Sequence, residues 1–157
     1  MGIQESSTAP GFVSGDSIGE YYLSFFSPYV GHKNVVLYFY PKDDTPGCTK
    51  EAQDFRDKYE SFLSLNTVIV GVSKDGISSH ENFKRKYGLP FELLSDENAE
   101  LARAYGVWVE KSMFGKKYMG IERSTFLIDT SGTIRKVWRN VKVQDHVDEV
   151  LKEVGSL

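Results

Sequence analysis

The chain holds a single cysteine, Cys48, within the segment Pro41-Lys-Asp-Asp-Thr45-Pro46-Gly47-Cys48-Thr-Lys-Glu51. A thiolate is a strong nucleophile, and the residue types around this one favour the ionised form. Thr45 is a good helix N-cap and Pro46 suits the first helical position, so Cys48 falls in the first turn of a helix. There, unpaired backbone N–H groups and the positive end of the helix dipole favour an anion. Gly47 lets the backbone approach a small substrate closely. A lone cysteine is more often a small buried hydrophobe. The cap, the proline and the position between a strand and a helix argue for the reactive reading.

The flanking elements explain how such a turn is held. Residues 34–40 form a nearly continuous run of β-branched and aromatic residues, which reads as a fully buried central strand ending at Pro41. Phe55, Tyr59, Phe62 and Leu63 recur at helical spacing, which predicts a helix over residues 46–64. Residues 67–73 read as a second buried strand. Ser78-Ser-His80-Glu81 has the form of a capping box, opening a helix that stops at Gly88. Residues 91–94 fit a third strand, residues 99–105 a short helix, and residues 107–120 a hairpin or long loop. Strands over 124–129 and 133–138 flank Thr130-Ser-Gly132, a hairpin signal. Residues 144–154 form an amphipathic closing helix. Residues 1–19 read as an irregular leader, and residues 21–26 as a short strand or turn. The order predicts an α/β fold with a mixed sheet covered by helices on both faces, which is the order of a thioredoxin-like fold.

Bulk properties fit one ordinary domain over residues 1–157. The chain is 40% hydrophobic and 26% charged, a soluble globular profile. Its net charge of −3 argues against nucleic-acid binding. No run is long and apolar enough to span a bilayer. One cysteine rules out a disulfide framework within the chain and suits a reducing compartment, hence a cytoplasmic location. Met1-Gly2 with Ser6 fits the loose N-myristoylation pattern.

Pro41, Thr45 and Cys48 have the Pro-x-x-x-Thr-x-x-Cys spacing of the peroxiredoxin active-site signature. The wider text Val36-Leu-Tyr-Phe-Tyr-Pro-Lys-Asp-Asp-Thr-Pro-Gly-Cys-Thr-Lys-Glu51, with Phe55-Arg-Asp57, resembles the bacterioferritin-comigratory-protein (BCP, or PrxQ) branch of that family. Glu122-Arg123-Ser-Thr-Phe-Leu-Ile-Asp129 is similar to the segment that supplies the family's active-site arginine. The resemblance runs from residue 34 to the C-terminus; residues 1–33 match only loosely. It implies a thioredoxin-like (peroxiredoxin) fold and a thiol-dependent peroxidase that reduces hydrogen peroxide and organic hydroperoxides. By the same resemblance, Cys48 is the peroxidatic cysteine and Thr45 donates a hydrogen bond that orients the peroxide. Pro41 shields the thiolate, and Arg123 stabilises the thiolate and the charge on the leaving oxygen. Glu51 orients an arginine, and Gly47 supports the turn.

One departure from the branch stands out. Many members carry a resolving cysteine five positions after the first; here that position is Gln53. The expected cycle therefore uses Cys48 alone, recycled by an external thiol: thioredoxin, glutaredoxin with glutathione, or a small thiol. No cofactor or metal is expected, and the branch analogy suggests a monomer. A non-enzymatic alternative is a redox sensor or stress-linked binding protein that uses Cys48 oxidation as a switch.

Other patterns carry less. Gly15-Asp-Ser17-Ile-Gly19 fits a serine-hydrolase elbow but lacks the preceding strand that motif requires. Gly115-Lys116 lacks the rest of a P-loop. His32, His80 and His146 show no metal-ligand spacing, and the latter two read as surface residues. Met113, Phe114 and Tyr118 either flank the active-site mouth or pack in a hairpin, and packing is the simpler reading.

Overall fold

The protein is described here over residues 4–157, in a computed structural model; Met1 and Gly2 of the myristoylation pattern lie outside the described residues. In chain order the elements are α1 (Glu20–Phe26), β1 (Asn34–Phe39), α2 (Pro46–Asp57), α3 (Tyr59–Ser64) and β2 (Thr67–Ser73). There follow α4 (Ile77–Tyr87), β3 (Glu92–Ser95), α5 (Glu100–Ala104), β4 (Trp108–Met113) and β5 (Lys116–Ile121). The chain closes with β6 (Ser124–Ile128), β7 (Ile134–Trp138) and α6 (His146–Val154).

Five strands form a mixed sheet in the order β3-β2-β1-β6-β7. β1, β2 and β3 run parallel, while β6 is antiparallel to β1 and to β7. The mixed sheet expected from the sequence is therefore present. Strand β1 is central and buried on both faces, as its apolar run requires. Val35, Leu37 and Phe39 point into a core shared with Phe26 of α1 and Leu101 of α5. Val36, Tyr38 and Tyr40 point the other way, with Cys48, Phe55 of α2, Phe83 of α4 and Val150 of α6. Period-two alternation thus divides the interior into two cores, one on each face. The second core contains the reactive sulfur.

Several local expectations are corrected. Residues 21–26 are helical, because Tyr22 and Phe26 are buried four residues apart, one helical turn. The helix expected over 46–64 breaks at Lys58 into α2 and α3, with no glycine or proline to mark the break. Helix α4 begins at Ile77 behind Gly76, not at a Ser78 cap. The hydroxyl of its Ser79 donates instead to Asp43. The hairpin over 107–120 forms, as β4 and β5. Yet Phe114 at its tip is 98% exposed, and Met113 and Tyr118 are also exposed, so these side chains do not pack.

The leader is irregular but fixed. Phe12 is buried and its ring stacks on Phe26 at 4.4 Å. Ser6 and Ile134 exchange backbone bonds with the leader and β7: Ser6 N–H donates to Ile134, and Ile134 N–H to Ser7. Ala9 N–H donates to Gly132. Ser17 lies in this leader with no strand before it. Among the described residues, no helix is long and apolar enough to cross a membrane.

Gly71 of β2 shows how tightly the second core is filled. It pairs with Tyr38 and Leu93, and a Cβ there would lie 2.8 Å from Leu93 Cδ2 and 2.9 Å from Tyr38 Cζ. Leu93 is only half-buried, but the fully buried Tyr38 ring cannot yield cheaply in a close-packed interior. Gly71→Ala is expected to cost about 1–3 kcal/mol through overpacking. Urea denaturation would show this as a lower midpoint with an unchanged slope.

Candidate active site

Sheet register brings the site together. Phe39 of β1 pairs with Ser124 of β6. The residue just before β6, Arg123, therefore lies at the same end of the sheet as the loop that leaves β1. That loop, residues 40–45, delivers the chain to α2, whose third residue is Cys48. Residues 75 positions apart in the chain thus meet.

Cys48 is 2% exposed. Thr45 occupies the N-cap position with extended backbone, and Pro46 begins the helix. The Arg123 guanidinium reaches over this turn. Its Nη1 donates to Glu51 Oε1 at 2.7 Å, and its Nη2 contacts Cys48 Sγ at 3.4 Å. Cys48 and Glu51 stand three residues apart on one helix face, so one planar cation serves both. Gly47 makes room for it: a Cβ there would lie 3.2 Å from Arg123 Nη2.

Thr45 does not cap the helix with its side chain. Its hydroxyl donates to the Lys42 carbonyl at 2.8 Å. With its hydrogen engaged there, the Thr45 oxygen keeps lone pairs that can accept from a ligand. Pro41, two residues beyond the end of β1, is exposed. Glu51 is fully buried, with Oε2 lacking a hydrogen-bond partner among the described residues. Tyr38 Oη, also buried, lacks one too. Burial pushes the Glu51 carboxyl up to about 7, against the opposing pull of Arg123.

The loop before α2 is anchored by residues that the motif does not include. Asp43 is buried and accepts from Tyr40 Oη at 2.5 Å and Ser79 Oγ at 2.8 Å. His80 Nδ1 lies 2.8 Å from the same carboxylate, and its Nε2 lies 3.1 Å from the Leu94 carbonyl. The Asp43 N–H donates to Asp75. Burial opposes ionisation of Asp43, but bonds from His80, Tyr40 and Ser79 outweigh it and hold its carboxyl below the ordinary range. Asp44, with a left-handed backbone, accepts from Lys86 and Tyr87 at the end of α4. Helix α4 therefore grips both aspartates of the loop. Asp43, Asp75 and His80 come within 4.8 Å of one another, but their polar atoms bond each other and nearby hydroxyls.

Both histidines expected on the surface are buried, His80 at 3% and His146 at 4% exposure. Each found polar partners inside, which removes the cost of burial. His146 Nε2 lies 2.8 Å from Thr125 Oγ1, beneath β6. Burial lowers its pKa to about 4; Glu149 opposes this and Arg123 adds to it. Sequence reasoning also missed Lys111. Its half-buried stem crosses Gly120, and its ammonium feels the charges of both Arg123 and Cys48.

The raised Glu51 carboxyl has a measurable consequence. In the unfolded chain this group titrates near 4.5, and in the fold near 7. The fold therefore holds a proton in that window that the unfolded chain has lost, so this contribution to stability is complete below pH 4.5 and is lost as pH rises through 7. Glu51→Gln, which cannot ionise, is expected to flatten this loss. Denaturation midpoints of both proteins at pH 5 and pH 8 would show a smaller difference for the variant; equal differences would rule out the assignment.

Comparison with known proteins fits this geometry. The AhpC/TSA family model matches residues 8–137. The chain is 60% identical over 131 residues to peroxiredoxin Bcp of Bacillus subtilis, covering 83% of each protein. It is 41% identical over 156 residues to chloroplastic peroxiredoxin Q of Suaeda salsa, covering 99% of this chain and 69% of that one. The structure of Xanthomonas campestris peroxiredoxin Q superposes with a TM-score of 0.78 at 47% identity, covering 82% of this chain and 80% of the other. The mixed sheet with its flanking helices is thus the thioredoxin-like peroxiredoxin fold, and the chain belongs to the AhpC/TSA family, in its Bcp/PrxQ peroxiredoxin branch.

Proposed function

We propose that this thiol-dependent peroxidase attacks peroxide with Cys48 and completes its cycle without a second cysteine of its own. The observation that carries this reading is the 3.4 Å contact between Arg123 Nη2 and Cys48 Sγ in the first turn of α2. In the first step, the Cys48 thiolate attacks the terminal oxygen of ROOH. The S–O bond forms, the O–O bond breaks, and the proton of the attacked oxygen passes to the leaving oxygen. Thiolate and peroxide become sulfenate and ROH, or water when the substrate is hydrogen peroxide. The Arg123 guanidinium faces the charge that moves from sulfur to the leaving oxygen. Thr45 accepts the peroxide hydrogen and aligns the O–O bond, Pro41 limits access to the sulfur, and Glu51 sets the plane of the guanidinium.

Recycling needs two thiols. The first displaces hydroxide from the sulfenic acid, giving a mixed disulfide and, with a proton, water. The second attacks that disulfide and restores the Cys48 thiolate. Organic hydroperoxides and hydrogen peroxide both fit this chemistry. The reductant is thioredoxin, glutaredoxin with glutathione, or a small thiol. One cysteine without a partner sulfur suits a reducing cytoplasm, where the chain acts as a single domain and a monomer.

Peroxide consumption with dithiothreitol, and separately with thioredoxin and its reductase, tests this reading. The wild type is expected to turn over many times and Cys48→Ser not at all. Arg123→Gln is expected to lose about 10²–10³-fold in the rate of sulfenate formation, read by stopped-flow fluorescence. A single oxidation per chain with every reductant would instead identify a sensor.

A further inference from the structure

We propose that the cleft between Pro41 and the β4–β5 hairpin receives an anionic low-molecular-weight thiol, the co-substrate that regenerates Cys48. This rests on the one-cysteine cycle above and names the class of its reductant. The cleft has a volume of about 210 Å³, and its walls include Pro41, Lys74, Trp108, Lys111, Tyr118 and Met119. That is below the roughly 300–1,000 Å³ of ordinary ligand pockets, and it suits the end of a small molecule. Pro41 belongs to the loop that carries the chain into the Cys48 turn. Cys48 itself is nearly sealed at 2% exposure, which favours a slender attacking group.

The charges around this cleft point to the ligand's sign. Among the described residues, Lys50, Lys58, Lys84, Lys86 and Lys117 are ion-paired and most other lysines are not, so what sets Lys74 and Lys111 apart is that both line this one cleft. Lys74 and Lys111 form no ion pair with a carboxylate. The Lys74 ammonium stands 4.9 Å from the centre of the Trp108 ring. The Lys111 stem lies flat on Gly120, where a Cβ would meet its Cδ at 3.3 Å and its Cε at 3.5 Å. Burial lowers the Lys111 pKa, as does Arg123, while Cys48 and Glu122 oppose them; its ammonium is thus in electrostatic reach of the sulfur. Two lysines with no carboxylate in ion-pair contact therefore line one small cleft in a chain of net charge −3. Trp108, Tyr118 and Met119 give the cleft apolar surface for the methylenes of a thiol, and the lysines take its carboxylate.

The reaction balances with thiol as reductant. The bound thiolate attacks the Cys48 sulfenic sulfur; the S–O bond breaks, an S–S bond forms, and hydroxide leaves with a proton as water. A second thiolate then attacks the ligand's sulfur, releasing a small-molecule disulfide and the Cys48 thiolate. The two thiols are oxidised, and Cys48 is reduced.

The test isolates this half of the cycle. Protein oxidised with one equivalent of hydrogen peroxide is mixed with mercaptoacetate, 2-mercaptoethanol or cysteamine, and sulfenate loss is followed by tryptophan fluorescence and intact mass. Rates are expressed per thiolate and corrected for the Brønsted dependence of nucleophilicity on thiol pKa. The Lys74→Gln/Lys111→Gln variant is expected to lose about 10-fold with mercaptoacetate and less than about twofold with 2-mercaptoethanol. Lys74→Glu/Lys111→Glu is expected to prefer cysteamine. In the wild type, salt at about 0.5 M is expected to erase most of the advantage of mercaptoacetate. This arm needs no variant, so a misfolded variant leaves the proposal open to refutation. Mercaptoacetate rates that ignore both salt and the lysine changes, or that fall together with 2-mercaptoethanol, would overturn the cleft assignment while leaving the peroxidase intact. A wild type whose Cys48 resists oxidation would instead overturn the peroxidase reading and this proposal with it.

Discussion

The Arg123 guanidinium offers two N–H edges in one plane, and the site directs one to Glu51 and the other to Cys48. Its side chain is 16% exposed and that of Glu51 not at all. A carboxylate buried this deeply needs a partner; removing one member of such a pair commonly costs about 3–5 kcal/mol. The pairing therefore fixes more than itself. It demands the β1–β6 register that brings Arg123 to this end of the sheet. It is eased by the missing Cβ at Gly47, where a side chain would crowd the guanidinium at 3.2 Å. It also demands that Cys48 and Glu51 share a helix face. Three separate parts of the chain are thereby held in one geometry around a single cation, so the reacting sulfur meets its donor before any substrate arrives.

The loop before α2 supplies the second half of that order. Fixing a residue costs roughly 1–2 kcal/mol of backbone entropy, and a free loop would leave the N-cap of α2 undefined. Asp43 and Asp44 remove this freedom by bonding into α4 and its C-terminal end. A helix whose hydrogen bonds go to the loop rather than to the sulfur thus helps determine where the sulfur sits. The arrangement follows a general pattern in which the groups that react are placed by others that lie behind them.

The sequence shows much of this, and its omissions have physical causes. Apolar runs marked β1 and β2 because strands buried on both faces leave no polar alternation to confuse the reading. The Cys48 turn was legible because a cap, a proline and a glycine each have a narrow conformational use. Arg123 came only through resemblance, since nothing in local sequence tells an active-site arginine from a surface one. The aromatic residues of α1 favour strands as much as helices, and only the burial of Tyr22 and Phe26 on one side decides the matter. His80 and His146 find their partners 37 and 21 residues away, beyond any local pattern. Lys111 lies on a strand whose inward face is set by tertiary packing, so its proximity to the sulfur has no sequence signature.

The leader bears on the protein's behaviour in company. Strand β7 forms one edge of the five-stranded sheet, and an open edge presents unpaired N–H and C=O groups to any other chain. Ser6, Ser7 and Ala9 occupy those groups at Ile134 and Gly132, through irregular backbone rather than a sixth full strand. The opposite edge, β3, is only four residues long, too short to template a long ladder. A segment with little regular structure thus satisfies backbone groups where β7 begins, and closes that end of the edge to strand pairing with another chain.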